Sequence, residues 1–160
     1  MSGSQVRYAR ISSTPDRPEG LSLLTCWLVV YELPDDAQRW TAAERELALH
    51  VLHGRTVVVN VRRGGPHRHL VPWLRDQGMI SYVGHSGSRH CWPRSDFANP
   101  FVKQAGTDRE AMVHRYRAWL DNQPELLARI SAGELTGRAL GCWCAPQPCH
   151  ADVLAEQTTS

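Results

Sequence analysis

"GRALGCWCAPQPCHADVLAEQ", residues 137–157, is the stretch whose reading decides the fold. "GRALGCWC" is a short apolar run opened by a glycine and reads as a strand. "APQP" at 145–148 holds two prolines, each fixing its own φ, so the turn is stiff and narrows where the next element can start. "CHADVLAEQ" then reads as a closing helix, with Cys149 at or beside its N-terminus and His150 and Asp152 in its first turn. A strand passed through a tight turn into a helix is the signature of an α/β unit.

The same alternation extends upstream. "LSLLTCWLVVYEL" (21–33) is a continuous run with β-branched and aromatic residues, which predicts a buried strand. "TAAERELALHVLHG" (41–54) predicts a helix with a capping box at Thr41 and Glu44, an apolar stripe through Ala43, Leu47 and Val51, and a stop at Gly54. "RTVVVNVRRGG" (55–65) is a valine-rich central strand that delivers Asn60 and Arg62 into a glycine loop. "HLVPWLRDQGM" predicts a short helix starting near Pro72, and "ISYVGH" another strand. "GTDREAMVHRYRAWLDNQ" opens with a second capping box, Thr107 with Glu110, and places Met112, Tyr116, Trp119 and Leu120 on one side. "PELLARI" is a helix opened by Pro124.

The expected fold is therefore α/β: a single-domain, Rossmann-like sheet, mostly parallel, with helices on both faces. Residues 1–20 are turn-rich and lack an apolar period, so they read as a flexible arm ahead of one domain over 21–157. The 160-residue length suits one such domain.

Charge and cysteine usage set bounds on function. A formal net charge of +2 does not advertise nucleic-acid binding, although arginine supplies nearly all the positive charge and grips phosphate in a bidentate way. The first apolar run is too short to cross a bilayer as a helix, and the polar opening has no signal-peptide pattern, so a cytoplasmic protein with no membrane partner is expected. Five cysteines, an odd number, then point to reduced thiols or metal ligands rather than a disulfide framework.

Three stretches carry chemistry. Period two along the last strand sends Cys142 and Cys144 to one face, where Cys149 and His150 can join them. These four are donors that zinc prefers, yet their spacing departs from the usual pairs of zinc ligands. The same residues could instead form a ligand pocket or catalytic centre, or pack as small apolar side chains. A helix N-terminus favours a thiolate at Cys149 and a neutral imidazole at His150. In "RHCWPRSDFANPF" (89–101), Asn99 before Pro100 presents an amide that donates and accepts, Trp92 could stack a base, and Arg89 and Arg94 could hold phosphate. The third stretch is "VVVNVRRGG"; its glycine pair lacks the spacing of a dinucleotide fingerprint or P-loop.

"VVNVR", "YVG", "NPF", "RYRAWL" with "ELLARI", and above all "LGCWCAPQPCHADVL" resemble a bacterial and phage family, domain of unknown function 4326. The likeness covers about residues 56–157, leaving 21–55 as an N-terminal strand–helix addition. By that resemblance Asn60, Arg62, Gly84, Asn99, Pro100, Phe101, Cys142, Cys144, Cys149, His150 and Asp152 fall on the family's pattern. This chain departs from it at His85 and Ser86, which stand where Arg-Pro is usual, at Ala151, which stands for a glycine, and in the longer segment bearing His90 and Cys91.

The functional expectation is a domain that binds and acts on a nucleotide, nucleoside or related phosphorylated small molecule, by hydrolysis or transfer at a glycosidic bond. Cys149, His150, Asp152 and Asn99 would be catalytic; Asn60, Arg62, Gly84, Trp92, Arg94, Asn99 and Phe101 would bind the ligand. The alternative is a zinc-stabilised module that binds nucleic acid or protein without catalysis, its metal on Cys142, Cys144, Cys149 and His150. No cofactor is required by the sequence, and zinc is the one it could accommodate.

Overall fold

Three parallel strands of buried or half-buried residues carry the domain: β3 (Val57–Asn60), β4 (Ile80–Tyr82) and β5 (Ala139–Cys142), in the spatial order β3–β5–β4. The computed structural model describes residues 33–85, 92–102 and 108–159, together with the strands β1 (Arg7–Ala9) and β2 (Leu28–Val30). Those two strands pair antiparallel in a separate two-stranded sheet. β2 falls inside the strand expected at 21–33, and β1 falls inside the stretch read as an arm; the rest of residues 1–20 lies outside the described residues.

β5 is the central strand, and all four of its residues are buried because both faces are covered. Alternation divides the core. Val57, Val59 and Ala139 face a cluster built with α1 (Ala42–Leu52) and α2 (Leu70–Asp76), where Trp40 meets Trp73 edge to face at 5.5 Å. Val58, Leu140 and Cys142 face the opposite cluster, made with α3 (Arg109–Leu120), α4 (Pro124–Ser131) and α5 (His150–Gln157). The helices thus cover both faces, as the alternation of elements predicts. A fully buried side chain such as Leu140 contributes about 1.5–3 kcal/mol relative to exposure.

Local expectations hold at several helix ends and shift at others. The Thr41 capping box forms as predicted, and Pro124 opens α4. The buried stripe of α1 runs through Ala48 and Val51, which pack against α2 as well as β3, with Ala43 exposed and Leu47 half-buried; β3 itself, expected from its valines to be central, lies at the edge of the three-stranded sheet. α2 starts at Leu70, two residues ahead of Pro72, since a first-turn residue has no need of its N–H. Asp108 caps α3, its carboxylate accepting the Ala111 N–H at 2.9 Å; Thr107, the cap expected from the sequence, lies outside the described residues.

Glu44 ties two elements together. Its carboxylate accepts the Thr41 N–H at 2.9 Å, and also the His69 and Leu70 N–H groups at 2.8 and 3.2 Å. One fully buried carboxylate thereby satisfies open backbone donors at the starts of α1 and α2. Burial alone would raise its pKa, but the backbone donors outweigh that and hold it below the ordinary carboxyl value.

Candidate functional site

β5 ends at Cys142, so Cys144 reaches the corner through the following turn rather than through strand alternation. Cys149 is the N-cap of α5: its sulfur accepts the Ala151 N–H at 3.3 Å, while Asp152 accepts the Cys149 N–H at 2.8 Å. Asp152 is therefore committed to the helix cap and does not orient His150. The sulfurs of Cys142, Cys144 and Cys149 all lie within 4.8 Å of one another, and all three thiols are free. These cysteines are close enough to hold a metal ion such as zinc.

His150 lies beside them, 4% exposed. Its Nε2 is 2.7 Å from the carbonyl of Val83, and only a protonated nitrogen satisfies that contact. In the neutral ring this leaves a lone pair on Nδ1, which sits 3.9 Å from the Cys142 sulfur. Burial also holds the His150 pKa below the ordinary imidazole value, which keeps that lone pair available. Tyr116 packs edge-on against the ring at 5.1 Å.

Of the three thiols, Cys144 is the one whose surroundings favour ionisation. Hydrogen bonds from Cys142 and Cys149, with help from the Arg109 guanidinium, pull its pKa down to about 2. The partner thiols move the other way: proximity to the Cys144 sulfur pushes Cys142 up to about 11, and Cys142 and Cys144 together raise Cys149 further. The helix N-terminus alone would favour a thiolate at Cys149; the neighbouring sulfurs and burial outweigh it. Cys144 is also half-buried, whereas the other two sulfurs belong to buried residues.

The remaining predicted site residues occupy two flanks. At the end of β3, Asn60 spends its side chain on the backbone: Oδ1 accepts the Arg62 N–H at 2.8 Å, and Nδ2 donates to the carbonyls of Trp143 and Ala145 at 3.2 and 2.5 Å. It locks the β3 end to the turn that feeds α5. Arg62 is exposed. At the end of β4, Trp143 donates to the Tyr82 hydroxyl at 2.7 Å, and that hydroxyl donates to the His85 carbonyl at 2.5 Å. Gly84 leaves room for this folded-back ring, since a Cβ there would come within 2.6 Å of the Tyr82 hydroxyl.

Trp92 stacks on Tyr82 at 5.1 Å, with Arg75 over its ring at 5.2 Å, so its face is occupied on the Tyr82 side by protein. Asn99 is fully buried: Oδ1 accepts the Phe101 N–H at 2.9 Å, its carbonyl contacts His85 Nε2 at 2.6 Å, and Nδ2 has no hydrogen-bond partner among the described residues. Phe101 is half-buried. Arg94 is exposed beside an open groove that also includes Asp96 and Arg129. Arg89, His90 and Cys91 lie outside the described residues. Among the described residues, no helix is long and apolar enough to cross a membrane.

Residues the sequence reading missed have local roles with long-range partners. Tyr82, Val83, His67 and Arg109 all reach the strand-end region, and only Tyr82 and Val83 stood in a noticed motif. His67 accepts the Asn60 N–H on Nδ1 at 2.8 Å, a contact that no spacing rule announces.

The chain is 31% identical over 70 residues to the "Uncharacterized 12.4 kDa protein in nrdA-td intergenic region" of Enterobacteria phage T4, covering 39% of this chain and 59% of that protein. The match thus spans about three fifths of the relative's length. No solved structure matches. The family model for the domain of unknown function DUF4326 matches residues 52–160, from the end of α1 through all three parallel strands and the cysteine corner. The chain belongs to the DUF4326 family.

Proposed function

We propose that this domain is a zinc-stabilised α/β module, with the metal held by Cys142, Cys144, Cys149 and His150, and that the thiols serve as ligands rather than as nucleophiles. One observation carries the reading: three sulfurs gathered within 4.8 Å, with the lone-pair nitrogen of a buried histidine 3.9 Å from one of them, Cys142, and its other nitrogen anchored on the Val83 carbonyl; His150 lies outside the tight group of three and would have to move in as the fourth ligand. Histidines that ligate metals are usually oriented by such a bond from the second ring nitrogen.

Distances support the fit. Zn–S bonds of about 2.3 Å imply tetrahedral sulfur–sulfur edges of about 3.8 Å, so the sulfurs need to close by no more than about 1 Å. The downward pKa shifts of Cys144 and His150 both run toward the deprotonated forms that ligation demands. A nucleophilic role for Cys149 has less support, since its sulfur is buried, caps a helix and resists ionisation. Four protein ligands leave no open position for a substrate, which is the arrangement of a structural site.

Elemental analysis of protein purified without chelator tests this. About one zinc per chain is expected, falling in Cys142→Ser and Cys144→Ser. A chain that folds normally and carries no metal after growth and refolding with zinc contradicts the reading.

A second reading draws on Asn99. Its buried amide nitrogen lacks a partner among the described residues, which costs about 1–3 kcal/mol unless something accepts from it. A nucleotide or nucleoside-like ligand near the β4 end would supply an acceptor, with action at its glycosidic bond as the associated chemistry. Incubation with nucleotide and nucleoside pools, followed by chromatography for released base and by thermal-shift measurement, decides it. Neither release nor a shift with any pool removes this reading.

A further inference from the structure

A cleft of about 340 Å³ opens beside the C-terminal end of β3, between α1 and the turn leading into α5. β3 and β4 flank β5 on opposite sides, so this cleft and Asn99 lie toward opposite edges of the sheet. Leu47, Val58 and Pro146 provide apolar wall, and Glu46, His50, Asp152 and His67 provide polar groups. The volume sits at the small end of ligand pockets, about 300–1,000 Å³. Asn60 fixes one wall by holding the carbonyls of Trp143 and Ala145.

His67 is the informative group. It is 8% exposed, and its Nδ1 accepts the Asn60 N–H, which places the neutral ring's proton on Nε2. Burial lowers its pKa and so favours that neutral ring. Nε2 makes no hydrogen bond among the described residues, and the ring lines the cleft. It is a fixed donor, directed by a backbone contact, waiting for an acceptor.

The lining eliminates most ligand classes. Glu46 and Asp152 repel phosphate or carboxylate, and against these two carboxylates the lining sets His50 and His67 but no arginine or lysine. The only cluster of metal-ligating groups among the described residues is the cysteine corner. An ammonium group has no lone pair to offer His67, and a purely apolar molecule would strand the imidazole donor and both carboxylates. Hydroxyl groups satisfy both sides, because each accepts from the imidazole or donates to a carboxylate. We propose that this cleft binds the hydroxyl-bearing face of a pentose ring. His67 Nε2 donates to one ring substituent, Glu46 and Asp152 accept from neighbouring hydroxyls, and the C–H face of the sugar lies on Leu47 and Pro146. Neither a bound zinc nor Asn99 is needed for this set of contacts.

Isothermal titration of the full chain with D-ribose, adenosine, 2′,3′-dideoxyadenosine and adenosine 5′-monophosphate tests the proposal. Saturable binding of ribose or adenosine is expected, with the dideoxy compound weaker by about tenfold or more. Similar affinities for ribose and adenosine identify the free sugar as the source of the recognised face; clearly tighter adenosine identifies a nucleoside. Adenosine 5′-monophosphate should bind no better than adenosine. Glu46→Gln, an exposed change on α1, should weaken binding by about fivefold. His67→Asn retains an acceptor for the Asn60 N–H while deleting the outer donor, and should weaken binding by about tenfold with little change in thermal unfolding. The proposal is overturned by absence of saturable binding to both ribose and adenosine, by equal binding of the dideoxy compound, or by wild-type affinity in both Glu46→Gln and His67→Asn. Zinc content measured on the same samples separates those outcomes from a failure of the metal reading.

Discussion

Glu44 shows how much a single side chain can hold. Its two oxygens serve α1 and α2 at once, so Glu44→Gln keeps the shape, removes the charge, and should lower stability by about 2–4 kcal/mol in urea unfolding. The folded pKa lies below the unfolded one, so the wild-type advantage is complete above the ordinary carboxyl range and is lost as pH falls through the folded value. Unfolding curves at several acidic pH values should therefore converge for the two proteins; a gap that persists in strong acid contradicts the assignment. Thr41 and Glu44 announced the first half of this arrangement through their spacing. The second half was hidden, because it depends on where the β3–α2 connection folds, 25 residues away. Gly84 is similar: Gly84→Ala drives a Cβ into the Tyr82 ring and should cost about 1–3 kcal/mol, with weaker near-ultraviolet circular dichroism as the Trp143–Tyr82 contact breaks.

At the scale of elements, the strand–turn–helix unit at 137–157 gave its secret through composition: glycine before a short apolar run, two prolines, then a capped helix. The cap itself combines a sulfur acceptor with a carboxylate, Cys149 with Asp152. Asp152→Ala should reduce stability by about 1 kcal/mol in chemical denaturation while zinc content stays at the wild-type level, because the carboxylate holds the helix start and no sulfur. Loss of the metal in that variant would show that the cap, too, positions the ligands. Period and capping made α1, α3, α4, β3 and β5 legible. They could not reveal the order β3–β5–β4, which is set by which faces the connecting helices bury, nor β1, whose three residues have no apolar period of their own. Cys142 and Cys144 do converge, but the turn brings them together, since the strand stops between them.

At the scale of the whole molecule, the cysteine corner joins β5, α5 and, through the His150–Val83 contact, the end of β4. On the proposed zinc reading, removing the ion would take away a shared tie among three elements and leave a buried histidine and three thiols without a ligand partner. Chelation at neutral pH should lower the thermal midpoint by at least several degrees, and zinc should restore it; an unchanged midpoint after verified zinc removal would count against a structural role. Cys144→Ser should behave like the chelated protein. The most direct test is X-ray absorption at the zinc edge of the purified, zinc-loaded chain. Three sulfurs at about 2.3 Å and one nitrogen at about 2.0–2.1 Å are predicted; a shell of oxygen and nitrogen without sulfur would contradict the account.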